Sequence, residues 1–412
     1  MMISENEIPL VKGRTSAQSE SVETIVGRMD SGDVYIPDYQ RDSDQWDERK
    51  KSLFIESLLN NLTIPAFFLC EQEDYRYEVV DGQQRLTTIL DFIKDRFSLS
   101  QDESIDYLLP QSVQYKGKNF SDLGDKLQRI FNGYPLTIIY LPSTMPLSIK
   151  LEVFRRINEG GTPLTGQDIR LAYYSQSETV TFIRLCGLHA DSESSKRMIE
   201  AAKKRELSNP WLDFPEAQEE WSSWWSERAQ AKGQTPSLMF LWYLVCLERK
   251  KLHNLLTPGG TQHLNIVFRG TTEEVLDIYC AQLKYQESQP EKSNEFVSNL
   301  KVISQEYFPP FAEWIKEILS YGLTGVSVDT YKQLALFIAG AVELKVEPKN
   351  LSHNQWTSIG NFLRRPRQAS KDILKVDDGY PEPKGRWLGK RGQNEQCKKV
   401  VEIVKAIIEN ND

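Results

Sequence analysis

Histidine is scarce in this chain: His189, His253, His263 and His353 are the whole complement among 412 residues, and they stand far apart. No Cys-x-x-Cys pair accompanies them, so a zinc site of the usual spacing is not expected. The five cysteines (Cys70, Cys186, Cys246, Cys280 and Cys397) are scattered and odd in number, which reads as the reduced thiols of a cytoplasmic protein. A Gly-x-x-x-x-Gly-Lys-Ser/Thr loop, a Rossmann glycine fingerprint and a Ser-His-Asp order signal are all missing, so any bound phosphate needs another cradle. Positive charge is lacking too: 50 Lys and Arg against 58 Asp and Glu leave a formal charge of -8. Contact with nucleic acid would have to use a local patch. Long apolar runs are absent. The most apolar stretch, Leu238 to Leu247, is too short to span a bilayer and reads as a buried helix, while the N-terminal residues are polar and carry no signal-peptide core. No membrane association is expected.

What is present suffices for real cores: 40% hydrophobic residues and 10% aromatics over a length that suits two or three domains. One stretch organises the rest. Tyr77-Glu78-Val79-Val80 reads as a buried strand, Asp81-Gly82 turns the chain, and Leu86, Ile89, Leu90 and Ile93 fall at helical spacing. A strand that hands over to a helix tip within about two residues suits anion binding, because the first-turn N-H groups and the positive end of the dipole face the same way. Gly82 allows close backbone approach. Gln83, Gln84 and Arg85 add amide and guanidinium donors, and Asp81 supplies a carboxylate for a metal ion or a water. A purely structural alternative stands beside this: Asp81 as a helix cap worth about 1 kcal/mol, paired with Arg85 for roughly 0.3 to 0.5 kcal/mol if exposed.

In chain order, residues 1 to about 18 read as a polar lead-in. Val22 to Met29 then makes a helix, Val34-Tyr35-Ile36-Pro37 an edge strand delivering Tyr39-Gln40-Arg41, Asp47 to Asn60 a helix, and Ile64 to Glu71 a strand. Ser98 to Pro135 shows little periodicity and reads as a surface hairpin, and Leu136 to Leu141 as a strand. Residues 146–158 read as a helix ended by Gly160-Gly161, after which Thr162-Pro163-Leu164-Thr165 starts the next. From about residue 176 long helical patterns follow, interrupted at Pro309-Pro310 and closed by a helix over Cys397 to Ile408. Among them Trp221, Trp224 and Trp225 share one face, for which core packing is the default explanation.

Three ordered motifs carry a resemblance. Ile36-Pro37-Asp38-Tyr39-Gln40-Arg41, Asp81-Gly82-Gln83-Gln84-Arg85, and Phe154-Arg155-Arg156-Ile157-Asn158 with Gly161-Thr162-Pro163-Leu164-Thr165 and Asp168-Ile169-Arg170 resemble the N-terminal family of GmrSD-type restriction proteins, over roughly residues 20 to 175. The resemblance implies an α+β chain: a ParB/sulfiredoxin-like α/β domain followed by a mostly helical part. The expected division is a lead-in at 1–18, a nucleotide-binding domain at 19–175, a helical domain at 176–350, and a basic region with its closing helix at 351–412.

The resemblance further implies binding and hydrolysis of GTP or ATP with Mg2+. Asp81, Gln84 and Arg85 would be catalytic, with Asp81 on the metal, and Tyr39, Gln40, Arg41, Gly82, Gln83, Asn158 and Thr162 would hold the nucleotide. Two arginines, Arg41 and Arg85, would clamp the phosphates, since phosphoryl transfer asks mainly for positioning and charge. The chain would then serve a restriction or antiphage system in which nucleotide gates recognition of foreign or modified DNA. Related proteins often carry a histidine-dependent HNH nuclease, for which the histidines here do not suffice. Cleavage is therefore expected from a separate nuclease subunit, and a second copy of the chain is a further candidate partner. Two alternatives stay open: a ParB-like domain that itself nicks DNA through Asp81 and Arg85, and a nucleotide-sensing scaffold without turnover.

The stretch from Arg364 to Arg391 holds nine Lys or Arg against four acids. Arg364, Arg365, Arg367, Arg386, Lys390 and Arg391 are the candidates there for a nucleic-acid phosphate surface, with a solvated basic loop as the alternative.

Overall fold

A computed structural model of the chain describes residues 15–37, 46–72, 74–101, 110–143, 145, 149, 153, 166–190, 193–226, 235–266, 273–289, 297–321, 331–375 and 390–409. The protein is α+β and divides into two compact units, residues 1–164 and 165–412.

The first unit is built on a five-stranded mixed sheet. Its elements run β1 (Ser16–Ser21), α1 (Val22–Ser31), β2 (Val34–Tyr35), α2 (Glu48–Leu59), β3 (Phe67–Glu71), β4 (Tyr77–Asp81), α3 (Gln83–Ile93), α4 (Asp125–Asn132) and β5 (Pro135–Leu141). Strand order is β1-β5-β3-β4-β2. The β1/β5 and β3/β4 pairs are antiparallel, and β3/β5 and β2/β4 parallel. Local chemistry starts the helices where expected: the Ser21 side chain caps α1 through the Thr24 N-H at 3.1 Å, and Asp47 caps α2 through the Lys50 N-H at 2.8 Å. Strand alternation then sorts the side chains. Phe67, Leu69, Val79, Leu136 and Ile138 face Ile25, Ile55, Leu58, Leu86, Ile89 and Phe92 of the helices, all buried. Cys70, Val80 and Leu141 lie in a separate cluster with Met145.

Three expectations need correcting here. The strand β1 begins at Ser16, inside the stretch read as lead-in; its sequence Ser-Ala-Gln-Ser-Glu-Ser has no apolar alternation, and its place comes from the ladder to β5, Ser16 opposite Tyr140 through Ser21 opposite Pro135. The segment read as a surface hairpin instead carries a 3-10 turn, Pro110–Tyr115, and the helix α4. It is part of the core: Leu99, Tyr115, Leu123 and Phe131 are buried, and Phe131 meets Phe92 and Phe120 at 5.5 and 5.7 Å between ring centres. In the second unit Pro309 and Pro310 do not break a helix. They occupy the first turn of a new one, where a missing N-H costs nothing, just after a π-type turn at Ile303–Tyr307.

The described residues of the second unit form no strand. Its helices are α5 (Gly166–Tyr173), α6 (Glu178–Cys186), α7 (Glu193–Lys203), α8 (Pro215–Ser226), α9 (Thr235–Leu247), α10 (Arg249–Leu252), α11 (Glu274–Ser288), α12 (Phe308–Ser320), α13 (Tyr331–Glu343), α14 (His353–Arg364), α15 (Pro366–Leu374) and α16 (Lys390–Glu409), with a single helical turn at Leu300–Val302 before the π-type turn. The apolar helix α9 is buried from Pro236 to Cys246. Trp221, Trp224 and Trp225 of α8 are core residues, as their shared face predicts, and Trp221 stacks on Trp211 at 5.3 Å. All five cysteines are buried free thiols. Among the described residues no helix is long and apolar enough to cross a membrane.

Candidate functional site

The junction between β4 and α3 is a tight handover. Asp81 is the last residue of β4 and pairs with Phe68 of β3; Gly82 follows with φ +98°. That left-handed conformation favours glycine, and a second constraint coincides with it: a Cβ on residue 82 would run into the ring of Phe67. The Leu86 N-H then bonds the Gly82 carbonyl at 2.8 Å and α3 is under way. Gly82 is its N-cap and offers no side chain, so the Asp81 carboxylate is not the helix cap that the sequence allowed.

Asp81 is held instead by Arg85. The guanidinium Nη2 donates to Asp81 Oδ2 at 2.8 Å, one helical turn away, and the pair is mostly enclosed, with side chains 11% and 15% exposed. Arg85 has more partners than the sequence suggested. Its Nη2 also donates to the Ala66 carbonyl at 3.1 Å, its Nη1 donates to the Pro65 carbonyl, and its Cζ lies 4.5 Å from the centre of the Phe67 ring. Burial lowers the Arg85 pKa from its ordinary value, against the opposing pull of Asp81. Arg85 thus ties the approach to β3, the end of β4 and the first turn of α3 into one rigid corner. Sequence reasoning missed Pro65, Ala66 and Phe67 because two of the three contribute backbone carbonyls, which leave no side-chain signature.

Gln83 and Gln84 stand half-buried in the first turn, and the Gln84 carbonyl accepts from Thr88 Oγ1 at 2.7 Å. The corner therefore brings together Asp81, Gly82, Gln83, Gln84 and Arg85. Tyr39, Gln40, Arg41, Asn158 and Thr162 lie outside the described residues, as does the helix expected at 146–158 apart from residues 149 and 153. As a home for Mg2+, the corner offers one carboxylate with one oxygen engaged by Arg85; among the described residues no group of three or more potential metal ligands gathers. That suits an ion arriving with a triphosphate, which needs one or two protein carboxylates, better than an all-protein cage.

The basic candidates separate. Arg364, Arg365 and Arg367 are exposed where α14 gives way to α15. Lys390 and Arg391 are tied to the protein, the first to Glu274 at 3.2 Å and the second to the Leu256 carbonyl at 3.2 Å, so packing accounts for them. Arg386 lies outside the described residues. The third motif ends on Arg170, which is fully buried: Nε donates to Asp277 at 2.7 Å, Nη2 to Glu273 at 2.8 Å, and Nη1 to Gln167. Burial works against its charge, and the two carboxylates more than offset that and raise its pKa.

Comparison with curated proteins and with solved structures gives no match. Comparison with protein families does: the family described as "GmrSD restriction endonuclease, N-terminal domain" matches residues 22–175, from the start of α1 to just past α5, with the Asp81–Arg85 corner inside the matched span. Over that stretch the chain is similar to the GmrSD N-terminal domain family.

Proposed function

We propose that the β4–α3 corner binds GTP or ATP with Mg2+ and hydrolyses it, and that the chain is a component of a restriction or antiphage system in which nucleotide state gates recognition of foreign or modified DNA. One observation carries the reading: a strand ends on a carboxylate and turns through a glycine into a helix tip that has no side-chain cap and bears two glutamines. The tip supplies N-H groups and positive potential for phosphate oxygens. Gln83 and Gln84 supply neutral donors beside it. Asp81 Oδ1 is the carboxylate oxygen left for Mg2+ or for orienting the attacking water, since Oδ2 accepts from Arg85. Bound Mg2+ would neutralise phosphate charge. The family match supports the restriction context; in this reading DNA is the partner to be recognised and a separate subunit supplies the nuclease.

The geometry changes one role. Arg85 is engaged by Asp81 and by two carbonyls, so it acts as a positioning residue that fixes Asp81 and the helix tip. Direct clamping of phosphate falls to Arg41, Gln83, Gln84 and the backbone. The same engagement favours, as a second reading, a nucleotide sensor that binds without turnover. Phosphate release from GTP and ATP with Mg2+, measured beside a ligand-induced thermal shift, separates the two. Release supports hydrolysis, a shift without release supports the sensor, and neither effect contradicts both.

A further inference from the structure

Among the described residues of the second unit, Lys332 is a cation with no carboxylate at ion-pair distance. Lys332, in the first turn of α13, is half-buried; its ammonium lies 3.8 Å from the centre of the Trp242 ring on α9 and donates to Gln393 Oε1 on α16. Both partners are neutral. Among the described residues no carboxylate comes within ion-pair distance of Nζ. The titratable groups that face it are Glu273 beside α11 and the thiols of Cys246 and Cys397. Glu273 gives Oε2 to Arg170, and both cysteines are fully buried. The nearby Lys390 is paired with Glu274.

A desolvated ammonium without a counter-ion is costly, and an indole face offsets only part of that cost. Of its three N-H donors one goes to Gln393, which leaves two for an incoming acceptor. The start of α13 adds positive potential at the same place. We infer that Lys332, seated on Trp242 and braced by Gln393, is a binding site for a single phosphate-type oxyanion. The oxyanion accepts from the ammonium and supplies a counter-charge at a distance where the described residues place none. This site belongs to the helical unit and is independent of the reading given to the Asp81–Arg85 corner.

The test is thermal melting of the full chain with inorganic phosphate against sodium chloride of matched ionic strength, for the wild type, Lys332→Met and Lys332→Arg. At pH 7 phosphate should raise the wild-type midpoint a few degrees beyond the chloride control, Lys332→Arg should keep that excess, and Lys332→Met should lose it. At pH 9.5 the wild-type excess should shrink although phosphate is then more highly charged, because burial brings the Lys332 pKa down to about 8 and the amine is then mostly neutral. A 5′-nucleoside monophosphate run in parallel distinguishes a phosphate ester from the free ion; a larger excess with either, lost in Lys332→Met, supports the site. No excess in the wild type, or an equal excess in Lys332→Met, overturns it.

Discussion

Gly82 is fixed by two independent demands, a positive φ and the neighbouring Phe67 ring. Gly82→Ala should therefore cost more than the roughly 1 kcal/mol usual for a left-handed alanine and reach about 2–4 kcal/mol once crowding is added, read as a lowered denaturation midpoint with unchanged slope. Arg85 was open to reading as an exposed partner worth a few tenths of a kcal/mol; its enclosure makes it larger. Arg85→Ala leaves Asp81 without its cation and two carbonyls without their donor, and should cost about 2–4 kcal/mol in urea unfolding. Lys332 titrates in the opposite sense to a paired lysine. Its folded pKa of about 8 lies below the ordinary 10.5. Between those values the unfolded chain holds a proton that the folded chain does not, so stability rises with pH across that window, and the penalty is complete below about pH 8. Lys332→Met should thus be stabilising at pH 7, on the order of 1–3 kcal/mol. That advantage should fade as unfolding is measured toward pH 10.5.

Legibility followed the strength of each element's local signal. The β4–α3 handover could be placed to the residue because an apolar strand, an Asp-Gly turn and a 3.6-residue apolar period meet there. By contrast β1 has Ala17 as its one apolar residue and exists as an edge ladder on β5, which no local pattern announces. The helix α4 spans 8 residues with Phe131 as its one buried side chain, too short for periodicity to stand out. The two readings of Ser98 to Pro135 make different demands on that residue: in a surface hairpin Phe131→Ala would be nearly silent, whereas in the observed core it should cost about 3–5 kcal/mol by calorimetry or denaturant. The corner itself was legible as a set of residues but not as a geometry. That Arg85 points to Pro65 and Ala66 depends on how β3 enters the sheet, which is a property of the fold and not of the motif.

At the scale of the molecule, a net acidic chain separates a small sheet-based unit from a helical one, and its chemistry-bearing residues do not all serve as sites. Buried tryptophans, Arg170 with its two carboxylates, and Lys390 with Glu274 are explained by packing and ion pairing within the helical unit. What packing leaves unexplained in the first unit is a helix tip with two glutamines beside a fixed carboxylate. The most direct test of that tip is phosphate release from GTP and ATP with Mg2+ by the full chain and by Gln84→Ala, with melting recorded for both. The Gln84 carbonyl that accepts from Thr88 is kept by alanine, and the melting records separate any loss of stability from a loss of turnover. The prediction is nucleotide hydrolysis by the wild type that falls roughly tenfold or more in Gln84→Ala. Equal rates in the two proteins, or no hydrolysis and no nucleotide-induced thermal shift in the wild type, would contradict a triphosphate seat at the β4–α3 corner.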